Sequence, residues 1–320
     1  MTAKRQQNRR QIPSRRKCSL PPFKIQPCLG VLDCGQRFSW SITVFDLPNT
    51  WKESEGEDIK VAILDTGCDL NHDDLKENLL PGHNFVVPGS APLDKCKHGT
   101  HCAGIVCAID NGFGVVGVAP KAKIIPVKIL DDQGNGDMLE VCKGILWAAD
   151  NGADIISMSL GCPEPIAEVR KAIKTVAARG VPVFCAAGNA NLKQLYYPAG
   201  YPETISISAI DKNFKKAEFS NIAKNLDFFA PGKDILSTIP GNQYGIMSGT
   251  SMACPWAAGI GALLLGYVRH HQKYHKTKLE LKTIDDWKNA FRKYTIPLND
   301  ASLRGFGIID PRKFTTWVKS

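Results

Sequence analysis

Three short segments carry side chains whose types and surroundings could do chemistry. The first, Val61-Ala62-Ile63-Leu64-Asp65-Thr66-Gly67, is an apolar run that ends on a carboxylate. In open α/β sheets ligands bind beyond the carboxyl ends of the strands, so Asp65 stands where a reacting or orienting acid belongs. Taken alone, it could equally cap a turn. The second segment, His98-Gly99-Thr100-His101-Cys102-Ala103-Gly104, sets one imidazole at the mouth of a helix and another one turn on. These could be metal ligands or a structural pair, and Gly99 leaves room for something to approach closely. The third, Ser248-Gly249-Thr250-Ser251-Met252-Ala253-Cys254-Pro255, opens a long apolar helix on a serine. Ser251 reads either as an N-cap or as a nucleophile whose developing oxyanion meets the backbone N–H groups and positive dipole of the helix start.

These residues need a frame to hold them, and the chain supplies strands and helices in alternation. Ile59 to Leu64 is a continuous apolar, β-branched run, and similar runs recur at Ala122–Leu130, Ala153–Met158, Val181–Ala186 and Thr204–Ile210. Unbroken apolar runs suit strands buried on both faces, as in a parallel sheet. Between them Asp137 can cap a helix with Met138, Cys142, Ile145, Leu146 and Ala149 on one face, ending near Asn151-Gly152. A second helix is expected over Ala167–Arg179, with Val169, Ile173 and Val176 inward and Gly180 as its stop. The helix that starts at Ser251 is apolar all round and therefore central. The pattern predicts an α/β fold with a mostly parallel sheet, without internal repeat or interdomain linker.

Composition narrows the class further. The chain has 320 residues, 43% hydrophobic and 22% charged, which is ordinary globular composition. The longest apolar stretch, Ala257 to Val268, holds three glycines and is too short to span a bilayer, and no apolar segment follows the basic start as a secretory signal requires. A soluble, non-exported protein is the expectation. The net charge of +9 is concentrated: Lys4, Arg5, Arg9, Arg10, Arg15, Arg16 and Lys17 lie in a stretch without acids, and the rest is close to neutral. That arm could touch nucleic acid, but no aromatic residue is interleaved in it, so a solvated arm is the preferred reading. The eleven cysteines contain no CxxC pair, which argues for thiols in a reducing compartment rather than a zinc ribbon or a disulfide framework.

Asp65, His98 and Ser251, in that chain order and each inside an extended pattern, resemble the catalytic segments of the subtilisin-like serine proteases. The matching phrases are LDTG around Asp65, HGTH around His98 and GTSMA around Ser251. A fourth, Ala186-Ala187-Gly188-Asn189, aligns Asn189 with the side-chain donor of the family's oxyanion hole. The resemblance runs from about Gln36 to Gly305-Phe306-Gly307-Ile308-Ile309, which looks like the family's closing strand. It implies a three-layer subtilisin-like fold, with a catalytic domain over 36–320 behind an N-terminal extension over 1–35. It also implies a serine endopeptidase working through an acyl-enzyme: His98 takes the proton of Ser251, Asp65 orients and stabilises the imidazole, and Asn189 with the Ser251 N–H meets the oxyanion.

By the same resemblance, protein or peptide substrates bind as extended strands between two edges, Ser159-Leu160-Gly161 and Gly134-Asn135-Gly136, with Ala186, Ala187 and Gly188 beside them. Edges that read backbone first imply broad specificity. Cys162 stands where the family usually has glycine, and Tyr196 where small residues are common at the base of the S1 pocket. Cys102 and Cys254-Pro255-Trp256 are further departures close to the chemistry. A calcium site is implied as well, with Gln36, Asp74, Ile109, Asn111, Phe113 and Val115 as oxygen donors of mixed charge. His72, His83 and His101 are read as structural, and His270, His271 and His275 as part of a solvated basic face.

Within the family the chain is most like the intracellular subtilisins, which implies a cytoplasmic, calcium-dependent enzyme and leaves a homodimer open. Their N-terminal extension carries a Leu-Ile-Pro-Tyr motif that lies across the active site until it is clipped, as in a zymogen. Leu20-Pro21-Pro22-Phe23 stands about as far before Trp51, so residues 1 to about 30 are read either as an inhibitory segment or as a disordered tail. The competing functional reading is a non-catalytic relative that binds peptides or regulates a partner.

Overall fold

The apolar runs become the centre of one sheet because β-branched residues with no polar face must be covered on both sides. β1 (Lys60–Asp65), β2 (Lys123–Lys128), β3 (Ile155–Met158), β4 (Val183–Ala186), β5 (Ile205–Ile210) and β6 (Phe228–Pro231) lie side by side in the order β2-β1-β3-β4-β5-β6, every pair parallel. Short strands widen it: His83–Asn84 beside β2, Ile308–Ile309 beside β6, and Thr295–Ile296 antiparallel at the rim. The computed structural model describes residues 17–28, 35–273, 279–298 and 305–313.

Parallel neighbours need crossovers, and helices supply them. α1 (His98–Cys107) packs against α4 (Thr250–Lys273), while α2 (Met138–Asp150) packs against α3 (Ala167–Ala177), giving the two outer layers of a three-layer α/β fold. α2 starts where expected: the Asp137 side chain accepts from Leu139 N, and Met138, Val141, Ile145 and Ala148 face the core. α3 ends two residues earlier than expected, in a turn closed by Gly180 at φ +81°. α5 (Ile284–Arg292) was not foreseen, although Thr283 and Asp286 form a capping box at its start.

α4 corrects the reading that no segment is long enough to cross a bilayer. Its 24 residues are long and apolar enough by length and composition. Yet 94% of its apolar window is buried within the protein, as befits a central core helix whose greasy surface is covered by β3 to β6.

The described N-terminal residues favour one of the two readings left open for them. Lys17–Ser19 pairs antiparallel with Asn135–Asp137, and Gln26–Pro27 pairs with Gln243–Met247, so residues 17–28 lie on the domain rather than outside it. Cys18 is only 2% exposed. The basic residues Lys4, Arg5, Arg9, Arg10, Arg15 and Arg16 lie outside the described residues, as does His275.

Candidate active site

The sheet order reverses at β1: the chain steps from β1 to β2 on one side and then back to β3 on the other. A crevice opens at the carboxyl end of such a strand, because the crossovers leave it in opposite directions. Asp65 is the last residue of β1 and is fully buried. His98 is the first residue of α1, and its Nδ1 lies 2.8 and 3.0 Å from the two carboxylate oxygens of Asp65. The closeness depends on two glycines. Gly67, at φ +103°, follows Asp65, and a Cβ on Gly99 would collide with the carbonyl oxygen of Gly67. With both carboxylate oxygens near Nδ1, that nitrogen carries the proton and Nε2 is left as the acceptor.

Asp94, a residue not singled out in the sequence, braces this junction. Its carboxylate accepts from Thr66 Oγ1, Cys96 N, Lys97 N, Thr100 N and Thr100 Oγ1 at 2.6 to 2.9 Å. It thereby ties the end of β1 to the first turn of α1. Burial pushes its carboxyl above the usual range, against the pull of those hydrogen bonds.

Ser251 lies in the first turn of α4, on the same cavity. Its Oγ donates to the Ser159 carbonyl at 3.2 Å, and among the described residues it makes no hydrogen bond to His98. Asn189 Oδ1 accepts from Thr250 N at 2.9 Å and Thr250 Oγ1 at 2.8 Å, which fixes the amide plane. A Cβ on Gly249 would lie 3.0 Å from Asn189 Nδ2 and 3.5 Å from Ser251 N, so the two donors converge at the helix mouth.

A cavity of about 390 Å³ adjoins Ser251, and the N-terminal residues form one wall of it. Leu20 N donates to Gly134 O at 2.8 Å, Ser19 stands opposite Gly161, and Pro21 and Pro22 pass beside Ser251. The Phe23 ring packs 5.3 Å from that of His98. Of the residues expected to bind substrate, Gly134, Asn135, Gly136 and Gly161 contact this strand. Ser159, Leu160, Ala186 and Gly188 line the cavity. Ala187 does not: its N–H goes to Ile207 and its carbonyl to Tyr196, behind the wall.

The expected calcium donors also gather. Gln36 Nε2 donates to Ile109 O at 2.9 Å and Val115 O at 3.4 Å, Asn111 Nδ2 donates to Asp74 Oδ1 at 3.1 Å, and Val115 N donates to Asp74 Oδ2 at 2.8 Å. Phe113 joins through its N–H, which donates to Asn111 Oδ1 at 3.2 Å. Amide N–H groups thus face carbonyls and a buried carboxylate. Rotating the Gln36 and Asn111 amides would turn their oxygens toward Asp74 and the Ile109 and Val115 carbonyls, donors that fit a hard cation, while the Val115 N–H stays on Asp74. Tyr244, unforeseen, lies beside Asp74, whose charge together with burial pushes the phenol upward.

The departures close to the chemistry are packing residues. Trp256 is fully buried 5.0 Å from Phe45, and Cys254 Sγ lies 3.5 Å from Ser157 Oγ. Cys102 Sγ donates to Ser251 O at 3.4 Å, and burial drives its pKa well up, so it stays a thiol. His72, His83 and His101 are held by carbonyl or ring contacts. His271 differs from the solvated reading: it is buried, with Nδ1 2.9 Å from Tyr267 O.

Comparison with known proteins adds a family to this geometry. A family model described as the Subtilase family matches residues 56–294. The chain is 40% identical over 278 residues to an intracellular serine protease of Paenibacillus polymyxa, covering 84% of this chain and 83% of that one. It is 42% identical over 237 residues to the major intracellular serine protease of Bacillus subtilis, covering 71% and 74%. Thermitase of Thermoactinomyces vulgaris is 42% identical over 218 residues, covering 68% of this chain and 78% of that protein.

Proposed function

The chain belongs to the subtilase family and is a subtilisin-like serine endopeptidase, and from that premise we propose that Asp65, His98 and Ser251 are its catalytic triad. The observation that carries the reading is the buried His98–Asp65 pair, which leaves Nε2 as an acceptor beside the cavity that Ser251 enters. A serine hydroxyl is a weak nucleophile at neutral pH. In the proposed reaction Ser251 leaves the Ser159 carbonyl, gives its proton to His98 Nε2 and attacks the scissile carbonyl. Asp65 stabilises the imidazolium that forms. Asn189 Nδ2 and the Ser251 N–H meet the oxyanion, and the imidazolium returns its proton to the leaving amine. Water then hydrolyses the acyl-enzyme by the same steps in reverse. Substrate would lie along Gly134-Asn135-Gly136 and Ser159-Leu160-Gly161, read mainly through its backbone, which supports broad specificity.

The N-terminal segment is proposed as an inhibitor in the substrate's path. Residues 17–20 already occupy the strand position between those edges, and Phe23 covers His98. Pro21 and Pro22 lend rigidity and remove backbone N–H groups beside Ser251. Calcium is proposed at Gln36, Asp74, Ile109, Asn111 and Val115, with Phe113 at the edge of the site, where it would neutralise the buried Asp74 and join three loops. Two relatives named as intracellular enzymes, together with the thiols of this chain, support a cytoplasmic setting.

The test is casein hydrolysis by the wild-type chain, by Ser251→Ala and by a chain lacking residues 1–27. Activity is expected in the first, none in the second and more in the third. Equal activity with and without Ser251 would refute the triad. An unchanged turnover without residues 1–27 would refute the inhibitor.

A further inference from the structure

Two cysteines meet across the cleft in a way that the peptidase reaction does not use. Ser19 stands opposite Gly161 in an antiparallel pairing, so the next rung sets Cys18 opposite Cys162. Cys162 spends its backbone groups on its other side: its N–H donates to Tyr197 O at 2.9 Å, and it accepts from Tyr197 N at 2.8 Å. The Cys18–Cys162 rung is therefore one without exchanged hydrogen bonds, the kind in which opposing Cα atoms come to about 4.5 Å. A disulfide spans Cα separations of roughly 4.4–6.8 Å. Directly opposite residues also project from the same face of the ribbon. Both cysteines border the cavity beside Ser251, and the Cys162 thiol now donates to Glu164 O at 3.1 Å, one side-chain rotation from its neighbour.

We propose that Cys18 and Cys162 form a reversible disulfide that locks the N-terminal segment into the cleft. This rests on the reading of that segment as an inhibitor and names how its release is governed. The co-reactant is a low-molecular-weight disulfide. The Cys18 thiolate attacks one of its sulfurs and expels a small thiolate, giving a mixed disulfide. The Cys162 thiolate then attacks Cys18 Sγ and expels the second small thiolate. Two protein thiols lose two electrons and two protons, and one small disulfide becomes two thiols. Burial raises the docked Cys18 thiol to about 12, so it reacts when its three-residue strand lifts rather than while it is seated. Once the bond closes, a cut after Phe23 no longer frees the residues that cover Ser251 and His98. A bridge carried by a three-residue strand that can lift is open to attack by a small thiolate, which suits a switch in a reducing compartment.

The test uses the full chain carrying Ser251→Ala, which cannot digest itself. It is incubated with oxidised glutathione at mildly alkaline pH and mapped without reduction. The expected result is one linked peptide pair holding Cys18 and Cys162, lighter than the separate peptides by two hydrogen atoms and absent from the Cys18→Ser version. Glutathione adducts without that pair, or a bond from Cys18 to another cysteine, would overturn the proposal. In the active chain, the same oxidation should lower casein hydrolysis roughly tenfold or more, because the tether holds the segment at high effective concentration, and dithiothreitol should restore it. An equal loss in the Cys18→Ser chain would assign the effect to another thiol and sink the lock. Failure of the inhibitor reading shows separately, as unchanged turnover on removing residues 1–27, while the peptide map still decides whether the bond forms.

Discussion

Tyr196 packs its side chain beneath two glycines that wall the cavity. A Cβ on Gly161 would lie 3.1 Å from Tyr196 Cβ, and one on Gly188 would lie 3.1 Å from Tyr196 Cγ. The ring thus stands in the wall of the cavity beside Ser251, where it is expected to limit the size of the side chain before the scissile bond within an otherwise backbone-read cleft. Tyr196→Gly is expected to raise kcat/KM for a peptide with Phe at that place by roughly ten- to a hundredfold over one with Ala, the range that a few methylene-sized groups in an apolar pocket command. Paired chromogenic peptides measure it, and an equal change for both would count against the ring as a size filter. Tyr196 was legible in the sequence as an anomaly, as were the motifs around Asp65, His98, Asn189 and Ser251, because each sits at a fixed place in a local phrase. Asp94 was not, since an acid that gathers five donors from two segments looks in sequence like any loop acid.

Among the elements, α1 does more than present His98. One turn on, His101 Nε2 lies 3.1 Å from both Ile235 O and Gly245 O, and so joins the helix to the hairpin of Ile235–Ile239 and Gln243–Met247. Only a neutral ring fits, because burial lowers the pKa to about 3. An unfolded imidazole, near 6.5, takes a proton that the folded one refuses. Its contribution to stability is therefore complete above about pH 6.5 and falls as pH drops toward 3, by up to about 1.4 kcal/mol per pH unit. His101→Gln retains a donor but cannot titrate. Urea unfolding of the Ser251→Ala chain should show a pH slope steeper by about one proton than the same chain with His101→Gln, and identical slopes would refute the assignment. Elements with a continuous apolar signature, β1 to β5, were legible, and α2 and α3 were legible from their helical spacing. The strand of Lys17–Ser19 was not, because its extension depends on Asn135–Asp137, more than a hundred residues away in sequence.

For the whole molecule, the proposed calcium site matters because of what it connects. Gln36 leads into the domain, Asp74 follows β1, and Ile109 to Val115 follow α1. A cation held there would pin the segments that leave both ends of the Asp65–His98 unit and would add a charge partner to the fully buried Asp74, which accepts from the Asn111 and Val115 amides. Such an ion binds the folded chain and not the unfolded one, so its stabilisation grows with concentration, reaching about 2.7 kcal/mol at a hundredfold excess over Kd. In a domain of this size that corresponds to a rise in Tm of roughly 5–10 °C. The comparison is thermal unfolding of the Ser251→Ala chain in calcium and in chelator, where self-digestion cannot intervene. The rise should vanish with Asp74→Ala, which removes the charge that the ion neutralises. A Tm indifferent to calcium in the parent chain would mean that these oxygens are satisfied by the Gln36 and Asn111 amides, and that the loops need no metal to hold their place.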